Sequence, residues 1–249
     1  MISAGIDIGS RTIKLAVVEN NSLLFTRKIE NSFDTLNACK DLIKDISYDQ
    51  ITSTGYGRHF FAEHFTCNTI SEIKAFALGA NYTLPSCRTI LDIGGQDTKA
   101  ILLDEHGKLK KFEMNDKCAA GTGKFLEIMA MALRYTLNEF GEVALKAEES
   151  ININSMCTVF AESEVVSMLA RGIDRVKVAK GIHQSVATRS LSLLRRVGIE
   201  KEVVFAGGVA LNKGIVHLLE QQLQMKIFVP NDPQIIGALG AALNNSKKE

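Results

Sequence analysis

The chain has 249 residues, 46% of them hydrophobic and 23% charged, the balance of a globular protein of one large or two small domains. A net charge of +1 argues against a nucleic-acid binder and against attraction to an acidic membrane surface. The longest apolar runs, such as Ile101-Leu102-Leu103, are far too short to span a bilayer.

Residues 2–8 and 14–18 alternate and carry β-branched side chains about Gly9-Ser10-Arg11, which predicts a hairpin. A third strand is predicted at 22–29. The helical spacing of Phe33, Leu36, Cys39, Leu42 and Ile43 predicts a helix over 33–45. A short strand over Ile51–Thr54 ends at Gly55-Tyr56-Gly57. Ser71 caps a helix reaching Tyr82, with Pro85 beyond it.

The same order then restarts. Strands are predicted at 88–93, 98–103 and 109–114, and helices at about 123–134, 159–169 and 176–197. A strand at 202–205, a helix at 211–223, a strand at 226–229 and a last helix over 233–245 follow, and the tail 244–249 is expected to fray. The segment LDIGGQDTKAILL echoes GIDIGSRTIKLAVV, which marks an internal duplication. The opening Met1–Gly5 has no signal-peptide pattern, so the cytoplasm is the expected location.

Asp7-Ile8-Gly9-Ser10 and Asp92-Ile93-Gly94-Gly95 are equivalent turns in the two repeats. Glycine there lets backbone N–H groups approach phosphate oxygens. The adjacent carboxylate repels phosphate directly, so it would act through hydrated Mg²⁺. A third turn, Ala206-Gly207-Gly208-Val209-Ala210, follows a β-rich run and opens a helix. By itself it reads as an ordinary strand-to-helix turn.

In this order the three turns resemble the superfamily of sugar kinases, actin and heat-shock chaperone ATPases. That resemblance implies an α/β fold of two ribonuclease-H-like domains with ATP between them. It implies one domain of 1–86 plus 234–249 and a second of 87–233. Asp7, Gly9 and Ser10, then Gly94 and Gly95, would hold phosphate, with Asp7 and Asp92 near Mg²⁺. Gly207, Gly208, Val209, Ala210 and Asn212 would hold adenosine. Asp92, Gln96 and Asp97 are the candidates for orienting the attacking water. Lys14 is either near the phosphates or a solvated hairpin lysine.

Of the cysteines Cys39, Cys67, Cys87, Cys118 and Cys157, the last two share a placement before an apolar helix, where thiolate is favoured. The number is odd, the spacings wide and no CxxC pair occurs, so a disulfide framework is not expected. Placement leaves open redox-active or merely buried thiols.

The strings NDKCAAGTG around Cys118 and SMCTVFAESEV around Cys157 resemble the ATP-dependent activators of 2-hydroxyacyl-CoA dehydratases and related benzoyl-CoA reductase subunits. TGYGR at Thr54–Arg58, DIGGQD at Asp92–Asp97 and GGVA at Gly207–Ala210 match the same family in order. The resemblance implies an oxygen-sensitive homodimer of an anaerobic host, with one [4Fe–4S] cluster on its two-fold axis held by Cys118 and Cys157 of each chain. It implies ferredoxin or flavodoxin as electron donor and an iron–sulfur dehydratase or reductase as acceptor. An alternative client carries a double-cubane cluster, and remoter alternatives are a small-molecule kinase or an actin-like assembly protein. Arg58, His59 and 170–177 either face the client or are solvated surface.

Overall fold

The computed structural model describes residues 1–154 and 157–244. Ser155, Met156 and 245–249 lie outside the described residues, and most of the tail expected to fray falls there. The chain divides into two compact units, Met1–Ile90 with Ile101–Phe112 and Pro230–Glu249, and Leu91–Ala100 with Glu113–Val229.

The first unit opens with β1 (Ile2–Ile8), β2 (Thr12–Glu19) and β3 (Ser22–Glu30), an antiparallel meander. After α1 (Thr35–Ile43), strand β4 (Gln50–Thr54) pairs in parallel with β1. Helix α2 (Arg58–His64) precedes the two-residue β5 (Asn68–Thr69), and the sheet order is β3-β2-β1-β4-β5. Helix α3 (Glu72–Thr83) starts at Ser71, whose side chain accepts from Lys74 N–H.

Strand alternation sorts the residues of β1 and β2 between two faces. Ala4, Ile6, Ile8, Ile13, Leu15 and Val17 form one core with Cys39, Leu42 and Phe61 from α1 and α2. Ala16 and Val18 lie in the opposite core with Ala238, Leu239, Ala242 and Leu243. Asp7 and Lys14 stand opposite each other in the β1–β2 register. They share the parity of the second set, so they lie on that opposite face.

The second sheet runs β8-β7-β6-β9, from β6 (Thr89–Ile93), β7 (Thr98–Leu103), β8 (Leu109–Asn115) and β9 (Val203–Ala206). Its order repeats that of the first sheet from the third strand inward, as the duplication requires. Every residue of β6 and β7 is buried, whereas β3 and β8 are largely exposed edges carrying Lys28, Lys110 and Lys111. Charge along an exposed edge discourages pairing with another chain.

The second unit adds α4 (Gly123–Ala132), α5 (Leu137–Lys146), α6 (Thr158–Ala170) and α7 (Arg175–Val197). A 3₁₀ turn at Gly208–Leu211 leads into α8 (Lys213–Leu223). Last comes α9 (Ile236–Leu243), buried along its whole length as its sequence IGALGAAL requires. Among the described residues no helix is long and apolar enough to cross a membrane.

Helices α2 and α5 and strand β5 were absent from the sequence expectation. Helix α5 carried a usable signal, since Thr136 and Glu139 form a capping box with both reciprocal bonds made. Helix α2 lacks a side-chain cap and buries only Phe61, so its sequence pattern is weak. The strand expected at 226–229 shrinks to one parallel bridge between Val204 and Phe228. The last helix starts at Ile236, three residues later than expected.

Helix α9 approaches α3 closely enough that a Cβ on Gly240 would strike the Ala75 carbonyl and come within 2.8 Å of Gly79 N. Backbone atoms cannot rotate aside. Gly240→Ala is therefore expected to destabilise the chain by about 2 kcal/mol, read as a lower urea midpoint at unchanged slope.

Candidate functional site

Asp7 is buried at the end of β1, and its Oδ2 lies 3.4 Å from Lys14 Nζ. The turn closes with Gly9 N–H donating to Thr12 O at 3.1 Å, and Asn31 Nδ2 donates to Gly9 O at 2.8 Å. Ser10 is exposed at the tip.

The second turn repeats this construction. Gly94 N–H donates to Asp97 O at 2.9 Å, the counterpart of the Gly9 bond. Lys99 stands seven residues after Asp92, as Lys14 does after Asp7. Its Nζ lies 3.2 Å from Asp92 Oδ2 and 2.6 Å from Asp97 Oδ2. The Lys99 side chain is only 2% exposed. An ammonium so deeply buried requires paired charge, and two carboxylates provide it with one negative charge in excess. Gln96 is exposed beside them. Lys99 is the residue that sequence reasoning missed. The signal was present, because aligning the two repeats places it over Lys14.

A glycine follows the strand beside each aspartate. Gly55 after β4 has φ +89° and Gly207 after β9 has φ +85°. A Cβ on Gly55 would lie 2.5 Å from Asp7 Oδ1 and 2.6 Å from Ile8 O, while one on Gly207 would strike Asp92 Oδ1 and Ile93 O. Only glycine adopts these angles cheaply and leaves that space. TGYGR and AGGVA are thus structural counterparts, an equivalence their residues hide. Gly208 is exposed, Val209 and Ala210 are buried, and Asn212 caps α8 by accepting from Ile215 N–H at 3.0 Å. Arg58 donates to Gly55 O at 3.1 Å, and His59 is exposed, as is most of 170–177.

Cys118 and Cys157 are exposed, whereas Cys39 and Cys87 are buried. Burial pushes the Cys39 thiol up to about 11, which keeps it protonated and unfit as a ligand. The Cys87 thiol bonds Thr89 O at 3.5 Å, and Cys67 Sγ lies 3.6 Å from Ser53 Oγ.

Cys157 is the N-cap of α6, and its thiol makes no capping bond. Cys118 is placed differently from expectation. It lies in a loop four residues before Thr122, the N-cap of α4. The first N–H groups of α4 do not serve it: Gly123 N–H and Lys124 N–H donate to Gly94 O and Gly95 O, both at 2.9 Å. The loop is held instead by Asn115 Nδ2 donating to Cys118 O at 3.0 Å. The helix that follows the cysteine loop is thereby bonded to the second glycine turn.

The donor set suits a metal group at the surface of the chain. Two exposed thiols, in no disulfide, are half of the four thiolates an iron–sulfur cluster commonly takes. Among the described residues, no group of three or more His, Cys, Asp or Glu side chains is placed to hold a metal ion within one chain.

The profile of the BadF/BadG/BcrA/BcrD ATPase family matches residues 4–244. The chain belongs to this ATPase family. It is 44% identical to the activator of lactoyl-CoA dehydratase of Anaerotignum propionicum, over 98% of this chain and 96% of that protein. The crystal structure of Acidaminococcus fermentans (R)-2-hydroxyglutaryl-CoA dehydratase component A matches with a TM-score of 0.92 at 37% identity, covering 100% of this chain and 98% of that one. The Clostridium difficile activator of 2-hydroxyisocaproyl-CoA dehydratase, with bound ADPNP, matches with a TM-score of 0.90 at 38% identity, covering 100% and 96%. The fold of this family member is the expected α/β fold of the actin and sugar-kinase ATPases.

The two lysines differ in burial, and their removal should differ in cost. Lys99→Met leaves the buried Asp92 and the partly exposed Asp97 uncompensated and is expected to cost on the order of 3 kcal/mol. Lys14→Met removes a longer, more accessible pair and should cost about 1 kcal/mol. Paired denaturation curves check the order, and equal costs would contradict the charge argument.

Proposed function

We propose that this ATPase drives one electron, through a [4Fe–4S] cluster shared by two copies of the chain, onto a 2-hydroxyacyl-CoA dehydratase-type enzyme. Family membership and the activator relatives support the ATP-dependent activating role. One observation carries the coupling: the first N–H groups of α4 bond the Gly94–Gly95 turn, and the Cys118 loop leads into that same helix.

The roles divide between domain I, 1–86 with 234–249, and domain II, 87–233. Domain I presents the Asp7 turn, where Gly9 and Ser10 approach phosphate and Lys14 balances charge. Domain II presents Gly94 and Gly95 to phosphate and Gly207, Gly208, Val209, Ala210 and Asn212 to adenosine. Asp7 and Asp92 would hold hydrated Mg²⁺, which offsets phosphate charge. Lys99 holds Asp92 and Asp97 together, and the third candidate for water orientation, the exposed Gln96, adjoins Asp97 in the chain.

When bound, a [4Fe–4S] cluster supplies a one-electron carrier of low potential. Cys118 and Cys157 of two copies would furnish its four thiolates, which makes the homodimer a requirement of ligand count. The chain's own residues do the rest. Loss of the terminal phosphate would change what the tip of the Gly94–Gly95 turn faces, and the Gly123 and Lys124 bonds to the turn carbonyls would carry that shift to α4 and the Cys118 loop. This is a two-state element biased by nucleotide, and it couples only if ATP and partner favour the same state. Ferredoxin or flavodoxin fits as the electron donor, in the cytoplasm of an anaerobic host.

Two variants test separate halves of this reading in anaerobically purified protein. Cys118→Ala is expected to lose iron and electron transfer while still binding ATP, and unchanged iron content would sink the cluster assignment. Asp92→Ala is expected to cut ATP hydrolysis at least about 100-fold with iron retained. Hydrolysis at the wild-type rate would remove Asp92 from the site.

A further inference from the structure

We propose that His183 is a positioning residue for the adenosine turn, holding it through the side chain of Asn212. This rests on the reading of Gly207–Ala210 as a nucleotide-binding turn.

His183 lies in the middle of α7 and is fully buried. A buried imidazole is costly unless both nitrogens find partners. Nδ1 lies 2.8 Å from Ala179 O, and a carbonyl only accepts, so Nδ1 carries the proton. Nε2 lies 3.0 Å from Asn212 Nδ2 and is therefore the acceptor of that bond. Burial pushes the His183 pKa down to about 4, so the ring is neutral near pH 7 and Nε2 keeps its lone pair.

Asn212 has no freedom to turn its amide over. Its Oδ1 accepts from Ile215 N–H at 3.0 Å, which forces Nδ2 toward His183. Its backbone N–H donates to Val209 O at 2.9 Å, and its carbonyl accepts from Val216 N–H at 3.1 Å. Asn212 therefore joins the end of the turn to the start of α8 and, through Nδ2, to α7.

Three helices close around this pair. A Cβ on Gly141 of α5 would strike Asn212 Oδ1. One on Gly214 of α8 would lie 3.2 Å from that oxygen and 3.1 Å from His183 Cδ2. The Phe140 ring meets the imidazole edge-on, with centroids 4.5 Å apart. An aliphatic residue at 183 could fill the volume, but it would leave a buried amide donor unanswered. The far end of the same turn is Gly207, packed against Asp92 Oδ1 and Ile93 O. A shift at Asn212 thus reaches the backbone beside the Asp92 carboxylate.

Two substitutions separate positioning from simple filling. Gln at 183 offers an acceptor near the Nε2 position, whereas Asn can replace only the Nδ1 bond to Ala179. The dissociation constant for MgATP is measured by calorimetry, alongside KM, kcat, iron content and thermal midpoint. His183→Asn is expected to weaken ATP roughly tenfold, raising KM with kcat at saturation kept within about twofold. His183→Gln should stay within about threefold of wild type, and iron content should not change in either. Equal affinities for the two variants, at any value, overturn the proposal. If His183→Asn fails to fold, His183→Leu decides. Leucine fills the volume without an acceptor for Asn212 Nδ2, so wild-type affinity there overturns the proposal and a roughly tenfold loss with iron content kept supports it. Wild-type protein that binds no ATP would instead refute the nucleotide reading itself.

Discussion

A carboxylate buried at the end of a β-strand has to be answered by a positive charge, and in this chain Lys99 answers Asp92 and Asp97 together. Three consequences follow from that one pairing. The lysine must come from the neighbouring strand of a tight hairpin, which fixes the length of the β6–β7 turn. The residue that passes beside the aspartate after β9 must be glycine, because any Cβ would strike the carboxylate. The turn carbonyls are then left pointing outward, where α4 takes them up through Gly123 and Lys124. Asp7, Lys14 and Gly55 repeat the first two features in a weaker form, with a longer ion pair and more exposure.

Much of this was legible in the sequence, and the reason is period. The residues of β1 and β2 alternate between two separate cores, β6 and β7 read as largely apolar runs buried throughout, and the glycines mark the turns. Lys99 was overlooked because a lysine inside a strand reads as a solvent-facing residue until its cross-strand partner is known. Gly55 shows in the sequence as a strand end and as part of TGYGR, while its kinship with Gly207 lies in backbone angle and not in flanking residues. The displacement of Cys118 from the start of α4 was also hidden. Thr122 takes the N-cap and Gly123 the first helical position, and nothing local in KCAAGTG announces where the loop yields to the helix.

The two cysteine elements are held unequally. The Cys118 loop is anchored by Asn115 and by the α4 bonds to the turn between the buried strands β6 and β7. Helix α6 buries Ala161 and Val165 and leaves Val159, Phe160 and Val166 exposed. On the proposed reading, the Cys118 side would answer nucleotide more directly, and the Cys157 side would adjust to whatever it meets.

Placing cysteine at the head of α6 also has a local thermodynamic cost. Serine or threonine there would accept a backbone N–H and secure the first turn, by about 1 kcal/mol. Cys157 makes no such bond. The opening turn of α6 is thus left as a weakly protected segment of the isolated chain, where backbone amides should exchange with solvent early. Stability and the proposed ligation compete at this one position: a better cap would give a sturdier helix and discard a thiol. Occupancy of that thiol by a bound group would reverse the balance, so the local order of α6 becomes a reporter of what the cysteine holds.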